Sequence, residues 1–521
     1  MPTRARAAWR VTAVALAAAA LFALYWRQSQ SVSLSSDGAG NVLQAWDMLH
    51  GNLLLHNWWV SDVSFYTTEL PQYALIESVL GLGPWVVHVG AAMTYTLLVL
   101  LAALLAMGHA RGRAGLARAL LAAGIMLAPQ LSATQILLLS PDHTGTAVPL
   151  LVIWLVIDRA RPRWFVPAAV CVVFTQAMVA DSIVLLTGIV PLVLVCAVRV
   201  CPGLVRNGER PAPRWYEVSL AAAAAVAGVV GSFAPRVMAA VGGYRQWHVG
   251  TDTDLRQLPH AAWTTAQGTL ELFGANVFGA SPMIELIFTI CHVAGMIAVA
   301  CGLGIAAARF LRFDELIVPV FAVAIVLNLG AYLISTHARS LLGVREMAAV
   351  LPLGAVLAGR TLGERALAAA WTAKGARGWR RPALTVIAAG YLGALAYGAV
   401  QPSGPPGNEP LAAWLVAHRL SDGLAGYWQA DSTTLDSTRK VLLSAVTLGR
   451  HGQLAPYQWE TDDANYDPAL HDANFVVAGG PAALPGMQAA AARTFGRPLR
   501  TYHADGYTIM VWDTNLLTEL G

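Results

Sequence analysis

Asp37 and Glu69 stand near the two ends of one polar stretch, SSDGAGNVLQAWDMLHGNLLLHNWWVSDVSFYTTELPQ, residues 35–72. A carboxylate can take a proton from a hydroxyl or an amine as a general base, or it can hold and orient a polar substrate. Asp37 follows an apolar segment by a few residues, and Glu69 directly precedes Leu70-Pro71. A third acid, Asp142, sits in Pro141-Asp142-His143. Arg345, Arg339 and Arg245 are the complementary candidates, because the planar guanidinium fork matches a phosphate better than a lysine's point charge does. Each residue also has a plainer use. Asp37 can complement the positive end of a helix, and the arginines can snorkel toward a membrane interface.

The elements that must position these residues are set by composition. Of 521 residues, 56% are hydrophobic and 12% charged, and the mean hydropathy is +0.54, whereas soluble domains carry about 25% charged residues. This is the composition of a polytopic α-helical membrane protein. Apolar windows long enough to cross ~30 Å of hydrocarbon, or slightly short of it, occur at 8–25, 84–107, 117–138, 145–157, 164–180, 182–200, 216–240, 283–306, 316–335, 347–359 and 383–400. About eleven transmembrane helices are therefore expected. The first window lacks a cleavage site of the small-x-small kind and reads as a retained helix.

Eleven crossings place the termini on opposite sides. The alternate loops on the N-terminal side hold 20 Lys and Arg, against six on the other side: Arg27, Arg236, Arg245, Arg256, Arg339 and Arg345. Cations mark the cytoplasmic face, so the N-terminus is expected inside and the C-terminus outside the cytoplasmic membrane. Residues 1–400 form the membrane domain, with its first extracytoplasmic loop at 26–84. Residues 401–521 follow the linker QPSGPPGNEP as an extracytoplasmic α/β domain. In that domain we expect a helix at 409–420, strands at 440–446 and 474–478, a helix at 485–495, and a hairpin over 500–513 turned at Asp505-Gly506.

Within the first loop, Ser36 is expected to cap a helix over residues 37–50 with Val42, Trp46, Leu49 and Leu53 on one stripe. Such a helix would lie on the membrane with Asp37, Asn41 and Gln44 on its wet face. Phe65-Tyr66-Thr67-Thr68-Glu69-Leu70-Pro71 then closes the loop, 32 residues separating Glu69 from Asp37.

This segment resembles the aromatic-acid-x-Pro element that follows an early Asp in membrane glycosyltransferases of the GT-C fold. The closest match is the glycosyltransferase family 39 group, with the protein O-mannosyltransferases and the bacterial lipid A aminoarabinose transferase. Pro141-Asp142-His143 and Arg345-Glu346-Met347 with Pro352 are similar to two further elements of that family. Gly38 stands where a second acid often follows the first, and Glu346 stands where an aromatic is usual. The resemblance implies transfer of a sugar from a polyprenyl-phosphate donor to a cell-envelope glycan, lipid or protein acceptor at the extracytoplasmic face, with inversion. Asp37 would be the catalytic base, and Glu69, the second catalytic residue, would hold the acceptor or support the base. Asp142, His143, Arg345, Arg339, Arg245 and Tyr66 would bind substrate. A transporter or flippase of lipid-linked sugars, and a non-catalytic envelope assembly protein, are the alternatives.

Other signals are plainer. Cys171, Cys196, Cys201, Cys291 and Cys301 lie in or beside apolar segments and form no disulfide framework or zinc spacing. Asp252-Thr253-Asp254 reads as a polar turn, and no metal or other cofactor is called for. Taken alone, His56, His143 and His248 read as interfacial or structural, Asp181 as a wet turn residue, and Trp58, Trp59 and Trp85 as an interfacial belt. A net charge of +4 suggests no nucleic-acid partner.

Overall fold

The computed structural model of the chain describes residues 3–139, 143–201, 214–249, 255–278, 283–310, 315–371, 380–405 and 407–520. The chain divides into two compact units. One holds Met1–Gln30, Ala91–Ser232 and Gly250–Pro402, the other Ser31–Gly90, Phe233–Val249 and Ser403–Gly521.

Each apolar window holds helix, continuous or broken. Among the described residues six helices are long and apolar enough to cross a bilayer alone: Val11–Ser29, Trp85–Met107, Arg214–Ala240, Met283–Ala308, Ile317–Ile334 and Pro382–Ala399. Two windows are bent pairs, Gly112–Met126 with Leu131–Leu137 at 83° and Leu341–Met347 with Val350–Arg365 at 51°. Counting each pair as one span gives eight. Pro129 falls in the first break, where it has no N–H to donate and disfavours helix in the residue before it. The other three windows hold the shorter helices Thr144–Arg159 and Phe165–Ala180, and a π turn at Leu185–Ile189 that runs into Val190–Val200.

Side-chain packing ties this membrane unit together. Trp154 is fully buried, with Phe174 and Phe321 edge-on at 5.7 and 5.8 Å. Arg360 is buried and satisfied by three partners: the Leu105 carbonyl, Asp158 at 2.7 Å and Glu315 at 2.5 Å. A buried guanidinium is tolerated only with such full pairing, and here the pairing joins the ends of four segments.

The second unit is built on two helices of the first loop, α1 (Ser36–Leu49) and α2 (Glu69–Leu80), and on the C-terminal domain. That domain contains α3 (Glu409–Ala417), β1 (Asp422–Gly426), α4 (Tyr427–Asp436), β2 (Leu442–Leu448), β3 (Leu454–Pro456), β4 (Phe475–Gly479), α5 (Met487–Phe495), β5 (Arg500–Ala504) and β6 (Tyr507–Val511). The strand order is β3-β2-β1-β4-β6-β5, parallel through β2, β1 and β4 and antiparallel at both edges. Alternation along each strand buries both faces. Leu424 and Val476 pack toward α5, while Ala425 and Val477 pack toward α3 and α4. At the β5–β6 turn, Asp505 (φ 49) and Gly506 (φ 83) both take the left-handed conformation a two-residue hairpin needs.

A small three-stranded sheet joins remote stretches of this unit. Trp58–Val60 pairs in parallel with Arg245–Gln246 and antiparallel with Thr461–Asp462. The wet face expected for the loop helix is a correction: Asn41 and Gln44 are each 1% exposed, because α4 packs across α1. The cap also differs by one residue. Ser35 Oγ accepts from Gly38 N at 3.3 Å, while Ser36 Oγ donates to the Tyr427 carbonyl at 2.7 Å.

Candidate active site

Asp37 sits in the first turn of α1, half-buried, where the unpaired N–H groups and helix dipole favour a negative charge. It is not alone there. Tyr427, the first residue of α4 at the carboxyl end of β1, donates its hydroxyl to Asp37 Oδ1 and lies 2.8 Å from Glu460 Oε2. Asn41, one helical turn after Asp37, donates to Glu460 Oε1 at 3.0 Å and to the Asp37 carbonyl at 2.8 Å. Asp431, one turn into α4, completes the group.

Gly40 makes this close approach feasible. A Cβ at that position would lie 2.9 Å from Asp431 Oδ2 and 3.2 Å from Glu460 Cβ, so only glycine leaves room for the two acids beside α1. Burial, reinforced by the charge of Asp37, pushes both Glu460 and Asp431 well above the usual carboxylate range. Burial also raises the Tyr427 hydroxyl, and Glu460 and Asp37 add to the effect. The arrangement sets one water-accessible carboxylate, Asp37, against one buried acid, Glu460, through a shared phenol, with the second buried acid, Asp431, beside them. Chemically, that is a fixed proton acceptor.

Glu69 opens α2 and is fully buried, and Tyr73 and Glu77 follow it on the same helical face. Burial, with Asp47 adding to it, pushes Glu77 up to about 8. Tyr66 donates its hydroxyl to the Leu53 carbonyl at 2.7 Å and packs its ring 5.1 Å from Tyr244, which gives it a packing role inside the loop. Arg245 is exposed, 3.7 Å from Asp463 and 5.5 Å over the Trp59 ring.

The remaining expected residues belong to the membrane unit. His143 is buried, with Asp181 at 2.7 Å on Nδ1 and Glu346 at 3.1 Å on Nε2. His337 lies 3.9 Å from Glu346. The expectation of a wet Asp181 is overturned: it is 2% exposed and is held by His143, Thr146 and the Ile183 N–H. Arg345 and Arg339 are both exposed, and the Arg339 carbonyl hydrogen-bonds His260 Nε2 at 3.2 Å. Asp142, Asp252 and Asp254 lie outside the described residues. Among the described residues no group of three His, Cys, Asp or Glu is arranged to hold a metal ion.

No family model matches the chain, and no curated protein does. Solved structures do. ArnT from Cupriavidus metallidurans in the apo state aligns over 99% of this chain and 99% of its own, with a TM-score of 0.56 at 15% identity. The same protein bound to undecaprenyl phosphate aligns over 96% of this chain and 97% of its own, with a TM-score of 0.56 at 13% identity.

The chain has the GT-C fold. The likeness runs through both the membrane helices and the sheet domain, which is the architecture expected from the sequence. Within this GT-C fold, Tyr427, Asp431 and Glu460 are the neighbours of Asp37 that sequence reasoning missed. Glu460 lies 423 positions from Asp37 in a short irregular segment, Gln458-Trp459-Glu460, and carries no motif. The one local cue was Gly426-Tyr427 at the end of the apolar run Leu424-Ala425, which marks a strand end where ligand-facing residues collect in parallel sheets.

Proposed function

We propose that this chain is a membrane glycosyltransferase acting at the outer face of the cytoplasmic membrane, its N-terminus inside and its C-terminal domain outside. It takes a sugar from a polyprenyl-phosphate donor and delivers it to a glycan, lipid or protein acceptor of the cell envelope. One observation carries the reading: the fold is shared end to end with ArnT, a lipid A aminoarabinose transferase, one of whose structures is bound to undecaprenyl phosphate.

Asp37 is the base in this reading. It takes the proton of the acceptor hydroxyl or amine as that atom attacks the anomeric carbon from the face opposite the phosphate. The sugar–phosphate bond breaks, and its electron pair leaves with the polyprenyl phosphate, so the anomeric configuration inverts. Phosphate departs without help from an acid, which is why one base is sufficient. Glu69 supports the loop carrying Asp37. Arg245, in the same unit as Asp37, is a cation that a departing phosphate can use.

The test uses the full chain in lipid nanodiscs with a panel of undecaprenyl-phosphate-linked sugars, reading released undecaprenyl phosphate. Asp37→Asn should lower kcat by about 10²- to 10⁴-fold, the range for loss of a general base, with lipid binding retained. Undiminished turnover in folded Asp37→Asn protein removes Asp37 from the role. Absence of undecaprenyl phosphate binding by the unaltered chain removes the donor class.

A further inference from the structure

The Tyr427 hydroxyl lies between Asp37 Oδ1 and Glu460 Oε2 but has one proton to give. One of the two contacts must therefore run toward the tyrosine oxygen, and its proton belongs to a carboxyl group. Burial decides which. Glu460 is 2% exposed while Asp37 keeps access to water, and a carboxylate is costliest to ionise where water cannot reach it. Asn41 donates to Glu460 Oε1 and Ser61 also hydrogen-bonds this carboxyl group, while Oε2 is the oxygen that faces Tyr427 and from which a proton would be donated to it.

The backbone is consistent with a fixed role. Glu460 has φ 49, a left-handed conformation that is strained for a side-chain-bearing residue and that surrounding structure must enforce. The titratable groups facing it are Asp37 from α1, Tyr427 and Asp431 from α4, and Tyr457 from its own segment, whose ring lies 5.5 Å from that of Tyr427.

We propose that Glu460 is a positioning residue for the transfer reaction: as a neutral acid it donates to Tyr427, Tyr427 donates to Asp37, and the base is thereby held charged and aimed. This rests on the assignment of Asp37 as the base. During turnover Asp37 takes the acceptor's proton and passes it to water, while Glu460 and Tyr427 keep their own. As pH rises through the elevated titration of Glu460, its proton is lost. The single phenol proton is then left between two carboxylates, Asp37 loses its fixed orientation, and kcat falls.

The experiment combines two readouts on the full chain in nanodiscs. Infrared difference spectra in the unaltered chain should show a neutral-carboxyl band that persists to alkaline pH and is absent in Glu460→Gln. The pH profile of kcat should have an alkaline limb that falls in step with that band. Glu460→Gln, whose amide donates to the same oxygen but cannot ionise, should lose this limb with little change in KM for the lipid donor. Tyr427→Phe should lower kcat about tenfold or more across the profile, as expected when a charge-assisted hydrogen bond is lost. A band that survives Glu460→Gln and vanishes in Asp431→Asn overturns the proposal, as does an alkaline limb that Glu460→Gln does not move. If Glu460→Gln does not fold, the unaltered chain decides, since band and kcat must then fall together. A chain that transfers no sugar while the band still depends on Glu460 refutes the reaction, and with it the role of Glu460 in that reaction, but leaves the proton on Glu460.

Discussion

Tyr427 and His143 each sit between two carboxyl groups, and the two sites solve the same electrostatic problem in opposite ways. His143 has a ring nitrogen facing Asp181 and another facing Glu346, and only a doubly protonated imidazole donates to both. The negative pair is balanced by a cation. Tyr427 has one proton and no charge to offer, so one of its neighbours must stay neutral. The difference teaches which group is free to respond to its surroundings. The imidazolium site is closed by ion pairing and holds three segments of the membrane unit in place. The phenol site leaves Asp37 half-buried, within reach of water.

The comparison can be broken most forcefully at the histidine. His143→Gln leaves Asp181 and Glu346 without the cation between them, and removal of one partner from a buried ionic group costs about 3–5 kcal/mol. The expected outcome is a large drop in the thermal unfolding midpoint of the purified chain, or loss of the folded protein. A change too small to resolve in that midpoint would mean that the site is not an ionic clamp. A smaller effect belongs to the phenol site. Gly40→Ala sets a methyl group 2.9 Å from Asp431 Oδ2, and such overpacking costs about 1–3 kcal/mol. It should separate α1 from α4 and reduce kcat more than it reduces stability, whereas equal losses would make Gly40 a packing residue alone.

The smallest effect is the most specific in pH. Glu77 is 3% exposed, and neither carboxyl oxygen has a hydrogen bond among the described residues. It is raised from 4.5 to about 8, so across that interval the folded chain keeps a proton that the unfolded chain releases. Stability contributed by Glu77 is therefore present at acid pH and is lost as pH climbs toward 8. Glu77→Gln should flatten that decline in a series of unfolding midpoints, and an unaltered slope would assign the decline to other groups.

Much of the architecture was legible because membrane helices and hairpins announce themselves locally. The apolar windows and the Asp505-Gly506 turn need only nearest neighbours to be recognised. The helix Tyr427–Asp436 did not announce itself. Its sequence, YWQADSTTLD, has no strong apolar stripe, and its place as the crossover between β1 and β2 is fixed by tertiary packing. The reading of α1 failed for the same reason. Asn41 and Gln44 look solvent-facing in a helix taken alone, and they are buried only because α4, almost four hundred positions away, covers them. Asp181 reads locally as a wet turn residue, and it is buried because His143 and Thr146 enclose it. Polar residues are easily taken as wet when the partners that bury them are distant in sequence.

The small sheet of Trp58–Val60, Arg245–Gln246 and Thr461–Asp462 bears on how the protein is made. Its strands lie far apart along the chain and are synthesised one after another, so the first loop waits for its last partner. Tyr427 and Glu460 reach Asp37 by the same late closure, and the group around Asp37 cannot assemble on a nascent chain. The order of synthesis alone keeps an unfinished chain from completing that group in the membrane.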